Sequence, residues 1–167
     1  MSTIDETLKN NKSYAQDFKL GHLPMPPARQ LAIVACMDAR MTVEQMLGLS
    51  TGDAHIIRNA GGIVSEDALR SLIISHYLLG TQEFMVINHT DCGMLTFHDD
   101  ELKTRLQDAH HTSSVTPAAF HAFSDVEQNV REQVSKIKSH PWTPKHVPVR
   151  GFVYDVKTGS LTEVQTA

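Results

Sequence analysis

Hydrophobic positions along this chain follow two periods in turn. Leu31 to Ala35 (LAIVA) is a short continuous apolar run, the pattern of a parallel strand buried on both faces. Thr42 to Leu49 (TVEQMLGL) has the spacing of a short helix, and Ala54 to Ile57 (AHII) reads as a second strand. Ser65 then caps a strong helix, SEDALRSLIISHYLL. Glu66 and Asp67 lie in its first turn and Gly80 just past its end. Glu83 to Asn88 (EFMVIN) is a third strand, and a helix follows near Asp99 to Ala109.

The stretch HHTSSVTPAAFHAF is turn-rich and reads as a loop or short helix. Ser124 with Glu127 has the spacing of a capping box for SDVEQNVREQVSKIK. Pro141, Pro144 and Pro148 exclude further helix, VRGFVYDV alternates as a strand, and a Lys157–Ser160 turn leads into a last strand, LTEV. Strands alternating with helices predict an α/β fold. The sheet is expected to be mostly parallel and flanked by helices.

Residues 2–20 predict an amphipathic helix with Ile4, Leu8, Tyr14, Phe18 and Leu20 as its apolar set. GHLPMPPARQ then forms a stiff extended connector, because proline fixes φ and disfavours helix before it. Residues 1–27 thus form a helical arm and Pro-rich connector within one expected domain spanning 1–167. The arm packs either on its own domain or on a partner subunit.

Composition narrows the chemistry. Lys and Arg total 15 against 19 Asp and Glu, a net charge of −4, so there is no basic footprint for nucleic acid or an anionic membrane. No apolar run approaches the roughly 20 residues of a membrane span. The first twenty residues lack the apolar segment of a secretory signal, so a reducing cytoplasm is expected. The 2 cysteines exclude a disulfide scaffold, and beside 10 histidines they read better as part of a metal set.

Cys36 follows the first strand and His89 the third, the latter opening His89-Thr90-Asp91-Cys92-Gly93. In an open α/β sheet, ligands bind beyond the carboxyl ends of the strands. If strands one and three are neighbours, Cys36, His89 and Cys92 converge there. A Cys₂His set leaves one position of tetrahedral zinc open, as catalytic sites do. Each cysteine alone reads equally as a small core residue, and a Cys36–Cys92 disulfide is disfavoured by the expected compartment.

Asp38 and Arg40 lie two apart in the turn after Cys36, where the arginine would keep Asp38 ionised and oriented. Alone, the two read as a surface pair worth little. Arg58-Asn59-Ala60-Gly61-Gly62 follows the second strand and reads either as a plain turn or as a backbone surface approached by a small substrate. It is neither G-x-G-x-x-G nor a P-loop.

Taken together, Cys36-x-Asp38-x-Arg40, Arg58-Asn59-Ala60-Gly61 and His89-x-x-Cys92-Gly93 resemble the signature of the β-class carbonic anhydrases, in the same order and spacing. Gly151 to Val156 with Thr158-Gly159 resembles the family's last strand and turn. HTDCGM and GFVYDVKTG resemble its short, compact branch, which also includes carbonyl sulfide hydrolases. The resemblance covers roughly residues 1 to 165.

It implies a mostly parallel four-stranded sheet with an added antiparallel edge strand, Zn²⁺ on Cys36, His89 and Cys92, an Asp38–Arg40 dyad, and an N-terminal arm reaching across a homodimer or homotetramer. It implies zinc-bound hydroxide attacking a small linear heterocumulene. CO₂ would give bicarbonate, and COS would give CO₂ and hydrogen sulfide, with the two substrates nearly even. Two thiolates cancel the ion's charge, so activity should rise with pH. Gly61, Gly62 and Gly93 would line the substrate. Asp38 would orient the hydroxide, or in a closed form fill the fourth zinc position.

Ala39 stands where the family commonly has Ser, and Gly62 where many members have a polar residue. His98 is a candidate proton shuttle. The alternative is a zinc protein that uses the site structurally or as a sensor.

Overall fold

The computed structural model describes residues 2–114 and 116–166. Four strands run parallel: β1 (Leu31–Cys36), β2 (Ala54–Asn59), β3 (Glu83–His89) and β4 (Val149–Tyr154). β5 (Leu161–Val164) adds to β4 antiparallel, giving the order β2-β1-β3-β4-β5. This is the expected α/β sheet. Each of the three leading strands runs further than its apolar run. Cys36, Asn59 and His89 are therefore the last strand residues rather than the first loop residues.

Alternate strand residues face opposite sides of the sheet, so a run that is apolar throughout needs cover on both. Ala32, Val34, Phe84, Val86 and Val149 pack beneath α3 (Glu66–Leu79) and α5 (Val126–Ser139), against Ala68, Leu72, Val130, Val134 and Ile137. On the other face Ile33, Ala35, Ile87 and Phe152 meet Met41, Val43 and Met94, with α2 (Val43–Leu47) alongside.

Ser65 caps α3 by accepting the Ala68 N–H, and Gly80 ends it in the left-handed conformation at φ 76°, both as expected. At α5 the expected Ser124–Glu127 box gives way to Asp125. Its carboxylate reaches the Gln128 N–H at 2.8 Å, while Glu127 turns outward to Arg131 at 2.7 Å. The stretch 116–123 forms no helix; residue 115 lies outside the described residues. Asp99, at the start of α4 (Asp99–His110), ties this stretch down by accepting the N–H groups of Phe120, His121 and Ala122. β4 stops at Tyr154 because the Asp155 carboxylate accepts the Lys157 and Thr158 N–H groups and turns the chain.

The arm is one helix, α1 (Thr3–Gln16), four residues shorter at its carboxyl end than its apolar pattern. Ser2 and Asp5 form a reciprocal capping box at its start. No residue of α1 is buried, and Ile4 and Leu8 are 70% and 58% exposed, so the arm does not pack on its own chain. Among the described residues no helix is long and apolar enough to cross a membrane.

α5 approaches β4 closely because Gly151 has no side chain. A Cβ there would run into Val130 and come within 2.9 Å of Val134. Gly151→Ala should therefore overpack the α5–β4 contact. The expected loss is about 1–3 kcal/mol, read as a lower urea midpoint with unchanged slope. A midpoint equal to the parent's would mean that α5 is free to move away from the sheet.

Candidate metal centre

The chain makes β1, steps to β2 on one side, then returns to place β3 on β1's other side. The order thus reverses between β1 and β3, and the crevice at their carboxyl ends is a topological switch point. Cys36 ends β1, His89 ends β3 and Cys92 follows three residues later. All three are buried, and their ligand atoms lie within 4.8 Å of one another. This is the only cluster of at least three metal-ligating side chains among the described residues.

The donor set fits a metal ion. His89 Nδ1 lies 2.9 Å from the Thr90 carbonyl oxygen, an acceptor only, so Nδ1 carries the proton and donates it. That leaves Nε2 with a bare lone pair. Nε2 is fully buried without a hydrogen-bond partner, the one such side-chain atom among the described residues. An unpaired buried polar atom costs about 1–3 kcal/mol, so it marks a position where a partner belongs.

The sulfurs carry the same message. The Cys92 thiol donates to Cys36 and holds the Cys36 thiol far below its ordinary range, against the effect of burial. His89 and the backbone N–H groups of Asp38 and Gly61 also favour the Cys36 anion. Cys92 is pushed upward, first by its bond to Cys36 and then by burial. The pair releases one proton readily and holds the second, which a divalent cation would displace. Burial alone would lower the His89 pKa. The Thr90 carbonyl and the neighbouring Cys36 and Asp38 carry it upward instead.

Beside the trio stands Asp38, its Oδ2 3.7 Å from His89 Nε2. Arg40 grips both carboxylate oxygens, Nε to Oδ1 at 2.9 Å and Nη2 to Oδ2 at 2.8 Å. These bonds hold the Asp38 carboxyl far below the usual carboxylate range. The same guanidinium reaches the Asp91 carboxylate at 2.8 Å and the Asp91 carbonyl at 3.0 Å. One arginine thus staples the loop after β1 to the loop that carries Cys92.

Gly61 and Gly62 are buried with φ of 81° and 61°. A Cβ on Gly62 would stand 2.7 Å from Asn88 Nδ2 and 3.0 Å from the Cys36 nitrogen. One on Gly61 would stand 3.0 Å from Met94 and 3.2 Å from Phe123. Only glycine fits this approach of backbone to site. Gly93 differs: the space beside its Cα is open, and its carbonyl is taken by the Thr96 hydroxyl at 2.7 Å. His98 is exposed at the N-cap of α4, and no hydrogen bond or ion pair joins it to the trio among the described residues.

Sequence reasoning passed over several supports. Arg58 donates to the carbonyls of Cys36 at 3.0 Å and Asp38 at 2.7 Å, holding the turn after β1. Asp91 completes the Arg40 clamp. Asn88, Asn129 and Gln133 form a buried amide chain to the glycine pair. The last two had a signal, being polar at positions where the helical stripe of Val130, Val134 and Ile137 calls for apolar residues.

The sequence profile of the carbonic anhydrase family matches residues 31–161. Beta-carbonic anhydrase 1 of Mycobacterium tuberculosis (strain ATCC 25618 / H37Rv) is 49% identical over 165 residues, covering 98% of this chain and 99% of its own. A carbon disulfide hydrolase of Acidithiobacillus thiooxidans is 32% identical over 176 residues, covering 95% of this chain and 87% of its own. A crystal structure of carbonic anhydrase from Streptococcus mutans superposes with TM-score 0.93 at 42% identity, covering 99% of each chain.

Arg40→Gln should release Asp38. Its pKa should rise by about 1–3 units, toward the ordinary carboxylate value, in a carboxyl-carbon NMR titration. A depressed folded-state pKa contributes stability above the unfolded value that is lost as pH falls through the folded one. The parent should therefore keep this contribution further into acid than the variant. An Asp38 titration unmoved by Arg40→Gln would contradict the clamp.

Proposed function

Because the chain belongs to the β-carbonic anhydrase family of zinc enzymes, we propose that Cys36, His89 and Cys92 hold Zn²⁺ and that the site hydrates CO₂ to bicarbonate. The observation that carries this reading is the buried, unpartnered Nε2 of His89, facing two thiols beside an Arg40-held carboxylate. Zinc held there would supply Lewis acidity, lowering the pKa of water and making a nucleophile available near neutral pH.

The chain's own residues do the rest. Thr90 fixes the His89 tautomer, and backbone N–H groups steady the Cys36 anion. Asp38, kept ionised by Arg40, accepts a hydrogen bond from the attacking water and sets its direction. So acidic a carboxyl stores no proton at neutral pH, so the proton passes on to solvent or buffer. With both oxygens engaged by Arg40, Asp38 acts as an acceptor beside the metal rather than as a fourth ligand. That argues against a closed structural or sensor site. Gly61, against Met94 and Phe123, offers the short apolar wall that a linear, uncharged substrate needs.

A second reading, hydrolysis of a sulfur-containing heterocumulene, is favoured by the relatives named carbon disulfide hydrolases. COS would give CO₂ and hydrogen sulfide by the same attack. The functional unit is a homo-oligomer. Fully burying each large apolar side chain of α1 would gain about 1.5–3 kcal/mol, and its own chain leaves them in water. Two free buried thiols suit a reducing compartment such as the cytoplasm.

Purified protein should contain about one zinc per chain. Cys92→Ser should lose it, and retention of full zinc with full activity would remove Cys92 from the ligand set. Asp38→Asn should keep the zinc and lose roughly 10–100-fold in kcat/KM; an unaltered rate at every pH would remove Asp38 from the reaction. On one preparation kcat/KM for CO₂ should exceed that for COS and CS₂, whereas a higher value for either sulfur compound would establish the second reading instead.

A further inference from the structure

Three side-chain amides lie in the interior between α5 and the end of β3: Asn88, Asn129 and Gln133, 1%, 4% and 7% exposed. Their hydrogen bonds run head to tail. The Val64 N–H donates to Gln133 Oε1 at 2.9 Å, and Gln133 Nε2 donates to Asn129 Oδ1 at 2.9 Å. Asn129 Nδ2 donates to Asn88 Oδ1 at 2.6 Å, and Asn88 Nδ2 donates to the Gly61 carbonyl at 2.9 Å. The same nitrogen lies 3.4 Å from the Gly62 carbonyl.

Both ends of this chain are backbone groups of one short segment, Gly61 to Val64. The polarity is forced, not chosen. An N–H can only donate and a carbonyl can only accept, so each amide in between has one permitted orientation. Asn59 grips the same segment from within, with Nδ2 on the Ile63 carbonyl at 2.7 Å and Oδ1 on the Ile63 N–H at 2.8 Å.

The segment so held is the one against the metal centre. Gly62 packs on the backbone of Cys36 and Ile87. Burying three amides between a helix and a sheet is costly unless every group is paired. Apolar residues at 129 and 133 would extend the stripe of α5 without that cost. The geometry points to a positioning role: Gln133, Asn129 and Asn88 form a closed amide circuit that fixes the Gly61–Val64 segment against the backbone of Cys36 and Ile87, and so holds Cys36 in place at the metal site. This inference rests on the zinc reading of Cys36, His89 and Cys92.

Zinc affinity, measured by competition with a chromophoric chelator, tests it apart from turnover. Asn129→Asp keeps the size but cannot donate to Asn88. Gln133→Met removes the link between Val64 and Asn129 but leaves the Asn129–Asn88–Gly61 bonds, and is the milder change, kept in case Asn129→Asp does not fold. Val134→Ala removes packing from the same face of α5 without touching the circuit, and serves as the control for lost stability.

The expected result is a loss of about 10–100-fold in zinc affinity for Asn129→Asp, and a smaller loss for Gln133→Met. Hydrogen exchange at the Val64 amide should quicken in both, and Val134→Ala should bind zinc as the parent does despite a lower Tm. Parent-like zinc affinity in the folded amide variants would overturn the inference. So would an equal loss in Val134→Ala, since the effect would then be one of general stability. A parent protein that takes up no zinc would instead overturn the zinc reading itself.

Discussion

The site depends on one adjacency. β1 and β3 lie side by side as parallel strands, in a register that pairs Ala35 with Ile87. Cys36 is the next residue on one strand and His89 the next but one on the other, so the strand ends deliver both to the same crevice without help from a long loop. Cys92 follows within one turn of His89. Rigid strands place donor atoms more tightly than mobile loops do, and a tetrahedral ion tolerates little error in its ligands. The empty lone pair of His89 Nε2 is the local sign of that arrangement. It is buried where the fold offers nothing of its own to pair with it.

Around this trio the charges are arranged in opposite senses. Two thiols share a pocket that favours one negative charge and resists a second, which makes a cation the natural third party. Asp38 is held ionised by a guanidinium that also binds Asp91. Arg40 thereby links the turn that follows Cys36 to the loop that carries Cys92. The Asp38 side chain is 18% accessible, so it can meet water without being released from the arginine.

Much of this was legible in the sequence. LAIVA and EFMVIN are apolar throughout, which only a doubly covered strand explains, and Ser65 and Gly80 bracket α3 by side-chain and backbone chemistry that is local. The candidate ligand trio was legible because Cys36 and His89 end strands and Cys92 follows His89 by three residues. What sequence could not supply was pairing across long separations. Asp91 joins Arg40 over 51 positions, and Asn129 joins Asn88 over 41. No local propensity reports such contacts. The misplaced cap of α5 has a smaller cause: Ser124 and Asp125 are both good caps, and geometry chose the carboxylate nearest the Gln128 N–H. The arm's destination was open in the sequence, and its full exposure decides against its own chain.

X-ray absorption at the zinc edge of the purified, metal-replete protein tests the central claim most directly. The account predicts two sulfur scatterers at about 2.3 Å and lighter nitrogen or oxygen scatterers at about 2.0–2.2 Å completing four-coordination. Replacing His89 by Ala should leave the sulfur shell and diminish the imidazole outer-shell signal. A first shell with no sulfur, or with four sulfurs, would contradict the assignment of Cys36, His89 and Cys92 as the metal's ligands.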